Sequence, residues 1–370
     1  MKRIAFLTSS RADYGIYLPL LKVLTVDPFF EVTIIAFGTH LSPFHGYTLN
    51  QILNDGYEVP YQIESMMAGD SPNAISTSMA LTSIKFSDFW NQHQNDFDLV
   101  FCLGDRYEMF AAVVAGIPYG IKYAHLHGGE KTLGSIDHIF RHSITLTSSY
   151  HFVSCEANAR RVSELIESEN NIFNVGALGL DNLKTLTLLS KEEFFDRFGV
   201  DLNKPTILVT VHPETTSPEE NATNAEELAK TLLELKKYQV LISLPNADTD
   251  AFVIRRRFLQ LPDESDKRIT CHENLGSQGY FTAMKYCIFL LGNTSSGIIE
   301  AASFNKWVIN SGNRQLGRMQ SGNTINIPFK RELFLQMINK IEQSPVYTGT
   351  NIYYKENVAK SICSILKTLP

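Results

Sequence analysis

The sequence has little of what marks secreted, membrane-bound or nucleic-acid-binding proteins. Its five cysteines among 370 residues include no C-x-x-C pair, and an odd, scattered set does not make a disulfide framework. No run approaches the roughly 20 apolar residues that a membrane helix requires. The 33 basic and 39 acidic residues leave a formal charge of −6, which argues against a nucleic-acid partner. We therefore expect a cytoplasmic protein that binds neither membranes nor nucleic acid.

Two missing motifs argue against a nicotinamide cofactor and against a catalytic metal. No G-x-G-x-x-G follows a predicted strand, which disfavours a nicotinamide enzyme. Four histidines lie between residues 125 and 142, but there is no clean H-E-x-x-H and basic side chains stand among them. We expect neither a cofactor nor a catalytic metal, and a metal site in this block stays open as an alternative.

Short apolar runs alternate with longer stretches of helical periodicity along nearly the whole chain. Most of the runs are uninterrupted, which is the pattern of parallel strands covered on both faces and indicates an α/β protein. The clearest helical stretch is 219–238. The predicted strands are 3–9, 32–38, 98–104, 121–127, 150–155, 172–176, 206–211, 239–244, 269–272, 286–292, 307–310 and 325–328.

Two sets of strand–helix units imply two Rossmann-like doubly wound domains that face a cleft. We place the first domain at 1–180 and the second at 181–370, with a last helix, 351–369, that could cross back to the first domain. Open parallel sheets bind ligands at the carboxyl ends of their strands. Polar residues directly after the strands are therefore the candidates for a functional site.

One candidate anion site follows the first strand. Hydroxyls, helix N–H groups and Arg11 come together there, with Asp13 two residues on. The alternative is an ordinary serine cap with a surface arginine.

A second hydroxyl-rich turn follows strand 286–292. Thr294, Ser295, Ser296 and Gly297 open the next helix and could cradle a diphosphate, while Glu300 could accept hydrogen bonds from ribose hydroxyls. Ordinary capping with a solvated glutamate is the alternative. The same strand–hydroxyl–helix arrangement in each half of the chain favours the anion-site interpretation.

The densest group of ionisable residues follows the third and fourth predicted strands. Asp105 and Glu130 each come after a strand, so both should point towards the cleft. Carboxylates and imidazoles with mutually shifted pKa values would suit proton transfer, although a purely structural network is also possible. The group consists of Asp105, Arg106, His125, His127, Glu130, Asp137 and His142.

Isolated polar residues follow other strands. His212 comes after the first strand of the second domain and could donate to a phosphate or leaving-group oxygen. His40 and Asn246 also follow strands, but turn chemistry accounts for them equally well.

In this order along the chain, the motifs resemble the hydrolysing UDP-N-acetylglucosamine 2-epimerases of bacterial sialic-acid and nonulosonic-acid biosynthesis. The resemblance extends from about residue 1 to residue 330 and implies a glycosyltransferase-B-like fold, no metal, no cofactor and a homodimer. The matching segments are 10–14, 38–40, 104–106, 125–130, 136–142, His212, 245–248, 293–300 and 312–318.

The resemblance also implies a role for each site residue. The diphosphate would be contacted by Arg11, Thr294, Ser295 and His212, the last also counted as catalytic. The ribose would be held by Glu300. Proton transfer at the sugar would fall to Asp105, Glu130 and Asp137, supported by Arg106, His125 and His142. The further residues expected to bind UDP or sugar are Asp13, His40, Asn246, Ser296 and Gly297.

One position departs from the family pattern. Several relatives have glutamate where His127 stands. Either Glu130 replaces that carboxylate, or His127 itself is the acid or base.

The implied reaction couples removal of the proton at carbon 2 to expulsion of UDP. A 2-acetamidoglucal intermediate forms, and hydration with protonation of the opposite face releases N-acetylmannosamine. Three alternatives remain. They are the same reaction on UDP-2,4-diacetamido-2,4,6-trideoxyglucose of the legionaminic-acid pathway, a glycosyltransferase of the same fold, and a non-enzymatic nucleotide-sugar sensor.

Overall fold

The computed structural model describes residues 1–245 and 248–370, which divide into two compact units. Unit 1 consists of Met1–Glu130, Asp137–Thr185 and Tyr353–Pro370. Unit 2 consists of Lys131–Ile136 and Leu186–Ile352. Each unit therefore contains chain segments that are distant in sequence.

Unit 1 contains a seven-stranded sheet in the order β3-β2-β1-β4-β5-β6-β7, and all of its described pairings are parallel. The order reverses between β1 and β4, which makes the carboxyl ends of these two strands the natural position for a site. The strands are β1 (Lys2–Thr8), β2 (Phe30–Phe37), β3 (Tyr61–Ile63), β4 (Leu99–Leu103), β5 (Tyr123–Leu126), β6 (Tyr150–Val153) and β7 (Ile172–Asn174).

Helices cover both faces of this sheet. The first begins at its N-cap Ser10, whose hydroxyl accepts a hydrogen bond from Asp13 N. The α-helices of unit 1 are α1 (Arg11–Leu24), α2 (Leu49–Asn54), α3 (Pro72–His93), α4 (Tyr107–Ala115), α5 (Asp137–Thr147), α6 (Glu156–Ile166), α7 (Asn182–Thr185) and, numbered last in the chain, α15 (Val358–Thr368). Short 3-10 helices are Gly38–Leu41, Pro43–His45, Ile117–Tyr119 and Leu178–Asp181.

Unit 2 repeats the same winding with a six-stranded parallel sheet in the order β10-β9-β8-β11-β12-β13. The reversal lies between β8 and β11. The strands are β8 (Thr206–Thr210), β9 (Gln239–Ser243), β10 (Ile269–His272), β11 (Phe289–Gly292), β12 (Trp307–Ser311) and β13 (Thr324–Ile327).

Helices also flank the sheet of unit 2. The first of them, α8, begins with a capping box between Ser190 and Glu193. The α-helices are α8 (Lys191–Phe198), α9 (Asn221–Glu234), α10 (Ala251–Phe258), α11 (Leu261–Glu264), α12 (Gly276–Tyr286), α13 (Ser295–Ile299) and α14 (Arg331–Gln343). Short 3-10 helices are Pro218–Glu220 and Ala301–Phe304.

The central strands show why uninterrupted apolar runs indicate this fold. Ile4 and Phe6 of β1 pack into one hydrophobic cluster, whereas Ala5 and Leu7 pack into another on the opposite face. A strand buried on both faces needs apolar side chains at every position rather than at alternate ones. The predicted α/β class with two doubly wound parallel sheets is confirmed.

The elements differ from the prediction mainly at their ends. The strand predicted at 286–292 begins at Phe289, because Tyr286 is the last residue of α12. The three-residue strand β3 was not predicted, since it is too short to show a periodicity. The helix predicted at 219–238 is a 3-10 turn followed by α9.

The C-terminal helix belongs to unit 1 and is shorter than the predicted 351–369. Lys2 Nζ donates to the carbonyl oxygen of Leu369 at 2.8 Å, at the end of α15 where carbonyls lack helical partners. Asp181 Oδ2 accepts a hydrogen bond at 2.7 Å from the N–H of Ala359, which lies in the first turn of α15. Both ends of the helix are therefore fixed to unit 1.

Two general properties complete the description. All five cysteines, each within the described residues, are free thiols. Among the described residues, we find no helix that combines the length and apolarity needed to cross a bilayer.

Candidate functional site

The candidate residues lie where strands end, at one edge of the sheet in each unit. In unit 1 they follow β1, β2, β4 and β5, and in unit 2 they follow β8 and β11. Parallel strands place such turns along the same edge of their sheet.

The turn after β1 is held by a buried carboxylate. Asp13 is 2% exposed, and its Oδ2 accepts from Ser9 N at 2.9 Å and from Ser9 Oγ at 2.6 Å. Burial raises the pKa of Asp13, and the nearby Arg106 opposes that rise. Ser9 O in turn accepts from Thr39 N at 2.8 Å. Asp13 thus orders the turn, while Arg11 stands at the first position of α1.

His40 is a buried, neutral histidine. Its Nε2 lies 2.8 Å from Thr8 Oγ1 and its Nδ1 lies 2.9 Å from Thr48 Oγ1. Burial lowers its pKa to about 4. The ring is therefore suited to joining the ends of β1 and β2 rather than to carrying charge at neutral pH.

His125 has a similar environment at the end of β5. Its Nε2 lies 2.9 Å from Gly104 O, and its Nδ1 lies 3.1 Å from Thr145 Oγ1. Burial lowers its pKa to about 3. The ring supports the turn that carries Asp105.

Arg106 is fixed by a glutamate that the sequence analysis did not single out. Arg106 Nη2 donates to Glu108 Oε1 at 2.8 Å, and the Glu108 side chain is fully buried. Burial raises the pKa of Glu108, and the adjacent guanidinium opposes that effect. Arg106 therefore contacts the buried Glu108 carboxyl, and its charge also acts on the buried carboxyl of Asp13.

Asp105 is paired with a buried arginine. Arg141 Nη2 forms an ion pair with Asp105 Oδ2, and Arg141 Nη1 donates to Glu130 O at 2.8 Å. The Asp105 side chain keeps a quarter of its surface accessible, whereas that of Arg141 is 2% exposed. One guanidinium thus connects the turn after β4 to the loop after β5 and leaves Asp105 accessible.

Two side chains of the loop after β5 form a hydrogen-bonded chain with one side chain after β6 and one on α6. His127 Nδ1 lies 2.8 Å from Glu130 Oε1, and Ser154 Oγ donates to the same oxygen at 2.8 Å. Asn158 Nδ2 donates to Ser154 Oγ at 3.0 Å. His127 and Glu130, which were predicted as alternatives, are in direct contact. Ser154 and Asn158 were missed, although Ser154 directly follows β6 and the rule of inspecting strand ends would have found it.

The remaining predicted residues of unit 1 lie on α5. Asp137 is the first residue of that helix. His138 and His142 are one turn apart on the same helix, and their ring centroids are 5.9 Å apart. Within the described residues, no group of three or more His, Cys, Asp or Glu side chains is arranged to hold a metal ion.

At the edge of unit 2, Asn293 fixes the backbone of His212. His212 N donates to Asn293 Oδ1 at 2.7 Å, and Asn293 Nδ2 donates back to His212 O at 2.9 Å. Gln315 Nε2 donates to Asn293 O at 2.8 Å. The ends of β8 and β11 are therefore joined side by side through one fully buried amide.

The His212 side chain has a carboxylate partner. Its Nδ1 lies 3.4 Å from Asp248 Oδ2, and Arg314 Nη2 lies 3.2 Å from the same oxygen. Arg314 also donates to Pro213 O. This arrangement orients the imidazole, and a positive side chain lies beside it.

The hydroxyl turn after β11 is present, but its helix is short. Thr294 is the N-cap and its Oγ1 accepts from Ser296 N at 3.4 Å, while Ser295 is exposed. The helix α13 spans five residues, with Gly297 buried within it and Glu300 as its C-cap. The exposed hydroxyl of Ser295, rather than a long helix dipole, is what this turn offers to an anion. Predicted residue Asn246 lies outside the described residues.

Glu214 is a further residue that sequence reasoning missed. It is 2% exposed, its Oε1 accepts from Asn313 N at 2.6 Å, and burial raises its pKa. It stands four residues after β8, at the sheet edge where candidate residues are expected. It orders the loop at 312–314, which includes Arg314.

Sequence comparisons with known proteins show the family of the chain. A sequence profile described as UDP-N-acetylglucosamine 2-epimerase matches residues 22–367. "Polysialic acid biosynthesis protein P7" of Escherichia coli is 34% identical over 99% of this chain and 94% of its own length. "UDP-N,N'-diacetylbacillosamine 2-epimerase (hydrolyzing)" of Legionella pneumophila is 32% identical, covering 100% of this chain and 97% of its own.

The fold also matches solved structures. The crystal structure of a UDP-GlcNAc 2-epimerase from Neisseria meningitidis, bound to UDP-GlcNAc, superimposes with a TM-score of 0.82. It covers 100% of both chains at 15% sequence identity. The fold is therefore retained where most of the sequence has changed.

Proposed function

Because this chain belongs to the UDP-N-acetylglucosamine 2-epimerase family, we propose that it is a hydrolysing UDP-sugar 2-epimerase that releases UDP and a free sugar inverted at carbon 2. Family membership gives the broader activity, that of a hydrolysing or non-hydrolysing 2-epimerase acting in bacterial glycan biosynthesis. The hydrolysing type is favoured by the relative from Legionella pneumophila, whose name specifies hydrolysis.

The observation that carries the proposal is the pair of distinct ionisable centres at the edge of unit 1. Asp105 is ion-paired to Arg141, whereas His127 is hydrogen-bonded to Glu130. Inversion at carbon 2 requires one group to remove a proton from one face and another to deliver a proton to the other face. Two centres with different partners fit that requirement better than a single acid.

The chemistry follows from the acidity of carbon 2. The proton there is a weak acid, so its removal must accompany departure of UDP, which gives a 2-acetamidoglucal. Water then adds at carbon 1 while an acid protonates carbon 2. We propose Asp105, His127, Glu130 and Asp137 for the proton-transfer machinery, supported by Arg106, His125 and His142.

The edge of unit 2 supplies groups suited to a nucleoside diphosphate. His212 has its ring beside Asp248, and the hydroxyls of Thr294 and Ser295 follow β11. We propose that His212, Thr294 and Ser295 bind the diphosphate and stabilise charge on the leaving oxygen, and Arg11 is proposed as a further diphosphate contact. Glu300 is proposed to bind the ribose.

The sugar is proposed from the relatives. N-acetylglucosamine as its UDP derivative, leading to N-acetylmannosamine and sialic acid, is the first candidate, since a relative is named for polysialic acid biosynthesis. The second is UDP-N,N'-diacetylbacillosamine, which is a UDP-2,4-diacetamido-2,4,6-trideoxyglucose and is named for the Legionella relative. We further propose that the protein is cytoplasmic and forms a homodimer. Light scattering can test the dimer.

Incubation with each sugar nucleotide alone tests the proposal. With no acceptor added, we expect UDP and a free 2-epimerised sugar to form in equal amounts. NMR measures both products. Interconversion of the two UDP-sugars without UDP release would indicate a non-hydrolysing epimerase. Turnover that needs an acceptor would indicate a glycosyltransferase, and UDP binding without turnover would indicate a sensor.

A further inference from the structure

We propose that His127 is the base that takes the proton from carbon 2 and that Glu130 is a positioning residue which fixes the imidazole for that step. The inference rests on the proposed function and makes it more specific. The sequence leaves His127 and Glu130 as interchangeable candidates. The contacts around the two side chains separate their roles.

Glu130 is the more enclosed of the pair. Its side chain is 1% exposed against 9% for that of His127, and its Oε1 already accepts from Ser154. A carboxylate that is buried and hydrogen-bonded to the protein is stabilised by those donors and offers little surface to a substrate. Glu130 therefore acts through the imidazole that it contacts.

An ionised Glu130 determines which ring nitrogen of His127 carries the hydrogen. A carboxylate only accepts hydrogen bonds, so with Glu130 in that form Nδ1 of His127 is the donor to Oε1, 2.8 Å away. In the neutral ring Nε2 then keeps its lone pair and is free to accept a proton. The same carboxylate stabilises the imidazolium that forms, which is the logic of a histidine oriented by an acid.

The backbone of His127 supports a functional assignment. Its φ of +63° lies in the left-handed region, where glycine is unstrained, where asparagine, aspartate and histidine are the commonest other residues, and where a side chain costs about 1–3 kcal/mol. His127 N donates to Phe152 O at 3.1 Å, and the ring bonds to Glu130. A glycine would fit this backbone without strain, so the imidazole itself is the reason to place a histidine there.

Ser154 and Asn158 extend the arrangement from β6 to α6. Ser154 holds Glu130 Oε1, and Asn158 holds the Ser154 hydroxyl. The loop can approach α6 closely because residue 129 is a glycine with φ +78°. A Cβ at this position would stand only 2.5 Å from Asn158 O. Ser154 is therefore a second positioning residue, one step further from the ring.

The proposed step balances with groups already described. The electron pair of the C2–H bond forms the C1=C2 double bond, the C1–O bond breaks with its pair leaving on the UDP oxygen, and the proton goes to Nε2 of His127. In the hydration step Asp105, which its ion pair with Arg141 holds as a carboxylate, first takes a proton from solvent and then delivers it to carbon 2, while water gives its hydroxyl to carbon 1. The proton that water loses and the proton on His127 both go to solvent.

Four variants test the inference with UDP-N-acetylglucosamine and UDP-N,N'-diacetylbacillosamine as probes. His127→Gly should lose kcat by about 100-fold or more with KM within about threefold, and added imidazole should restore part of the rate. Glu130→Gln keeps the shape but not the charge, and should lower kcat by at least about tenfold. Ser154→Ala should lower kcat by about threefold to tenfold, and Ser154→Thr, which keeps the hydroxyl, should restore it.

The control is Ser143→Ala on α5, whose hydroxyl donates to Ile139 O within its own helix. It should keep the wild-type rate. Nitrogen-15 NMR of the imidazole, assigned by its loss in His127→Gly, should show hydrogen on Nδ1 in the wild type and a changed tautomer distribution in Glu130→Gln.

The outcomes distinguish this inference from the function on which it rests. If the wild type releases UDP but His127→Gly and Glu130→Gln stay within twofold of its rate, the inference is wrong and the function stands. A loss in His127→Gly that imidazole never restores, with hydrogen found on Nε2, would also overturn it. If the wild type releases UDP from neither probe, the proposed function falls and this inference with it.

Discussion

The two sheets have the same strand winding, but the side chains at their carboxyl edges differ in chemical type. In unit 1 the turns after β4 and β5 present charged and ionisable side chains, such as Asp105 and His127, held by buried partners. In unit 2 the turns after β8 and β11 are joined by the amide of Asn293 and present the hydroxyls of Thr294 and Ser295. Topology thus fixes where a site lies, and the residues after the strands decide what it does.

This comparison predicts that variants of Asp105 in unit 1 change turnover, whereas variants of the hydroxyl turn after β11 in unit 2 change binding. The largest effect is expected at Asp105. Asp105→Asn should lower kcat by about 100-fold or more and leave the affinity for UDP nearly unchanged, because the amide keeps the shape but cannot transfer a proton. Steady-state kinetics and calorimetric titration with UDP measure the two quantities.

Asp98→Asn is the matched control for this variant. Asp98 precedes β4 and Asp105 follows it, and Asp98 pairs with Arg3 at the protein surface. A surface ion pair contributes little, so the control should keep wild-type turnover. A wild-type rate in Asp105→Asn as well would remove the proposed division between the units.

An intermediate effect is expected in unit 2. Ser295→Ala removes an exposed hydroxyl from the turn after β11 and should weaken UDP binding by about threefold to tenfold, with kcat within about twofold of the wild type. Thr350→Val, which removes an exposed hydroxyl elsewhere in unit 2, should bind UDP normally. A fall in kcat with unchanged affinity in Ser295→Ala would contradict the comparison.

The smallest effect concerns stability in acid. Burial lowers the pKa of His40 to about 4 and that of His125 to about 3. In the unfolded chain the histidine pKa is near 6.5, so as the pH falls below this value the unfolded chain binds protons at these two rings while the folded protein does not. Each ring should therefore cost about 1 kcal/mol of unfolding free energy between about pH 7.5 and about pH 5.5. The raised pKa values of Asp13 and Glu108 act in the opposite direction as the pH falls.

Hydrogen exchange followed by mass spectrometry, corrected for the intrinsic pH dependence, measures this difference. Peptides from β2 and β5 should lose more protection in acid than peptides from β8, and His40→Asn should reduce the loss in unit 1. Equal losses in both units, unaffected by His40→Asn, would show that the buried histidines do not set the acid response.

The fold could be predicted from the sequence because its signals are local. Apolar runs such as those of β1 and β4 require burial on both faces, and the polar residue after each run marks the sheet edge. The strand β3 has three residues, and the end of α12 merges with the apolar run of β11, so neither boundary shows a distinct pattern.

The positions of candidate site residues could be predicted, but their partners could not. Glu108 is only two positions from Arg106, and it is the burial of Glu108 in α4 that shows the pairing. The position of Ser154 after β6 could be predicted, but its contact with Glu130 joins residues 24 positions apart, and such long-range contacts produce no periodic pattern in the sequence. For the same reason the sequence left open whether Glu130 or His127 does the chemistry.

Turnover of a UDP-sugar in deuterated water tests the central claim most directly, that unit 1 exchanges the hydrogen at carbon 2. We predict that the released sugar is inverted at carbon 2 and carries one deuterium there, seen by NMR as loss of the carbon 2 proton signal. A released sugar that keeps its original carbon 2 hydrogen and configuration would contradict the account.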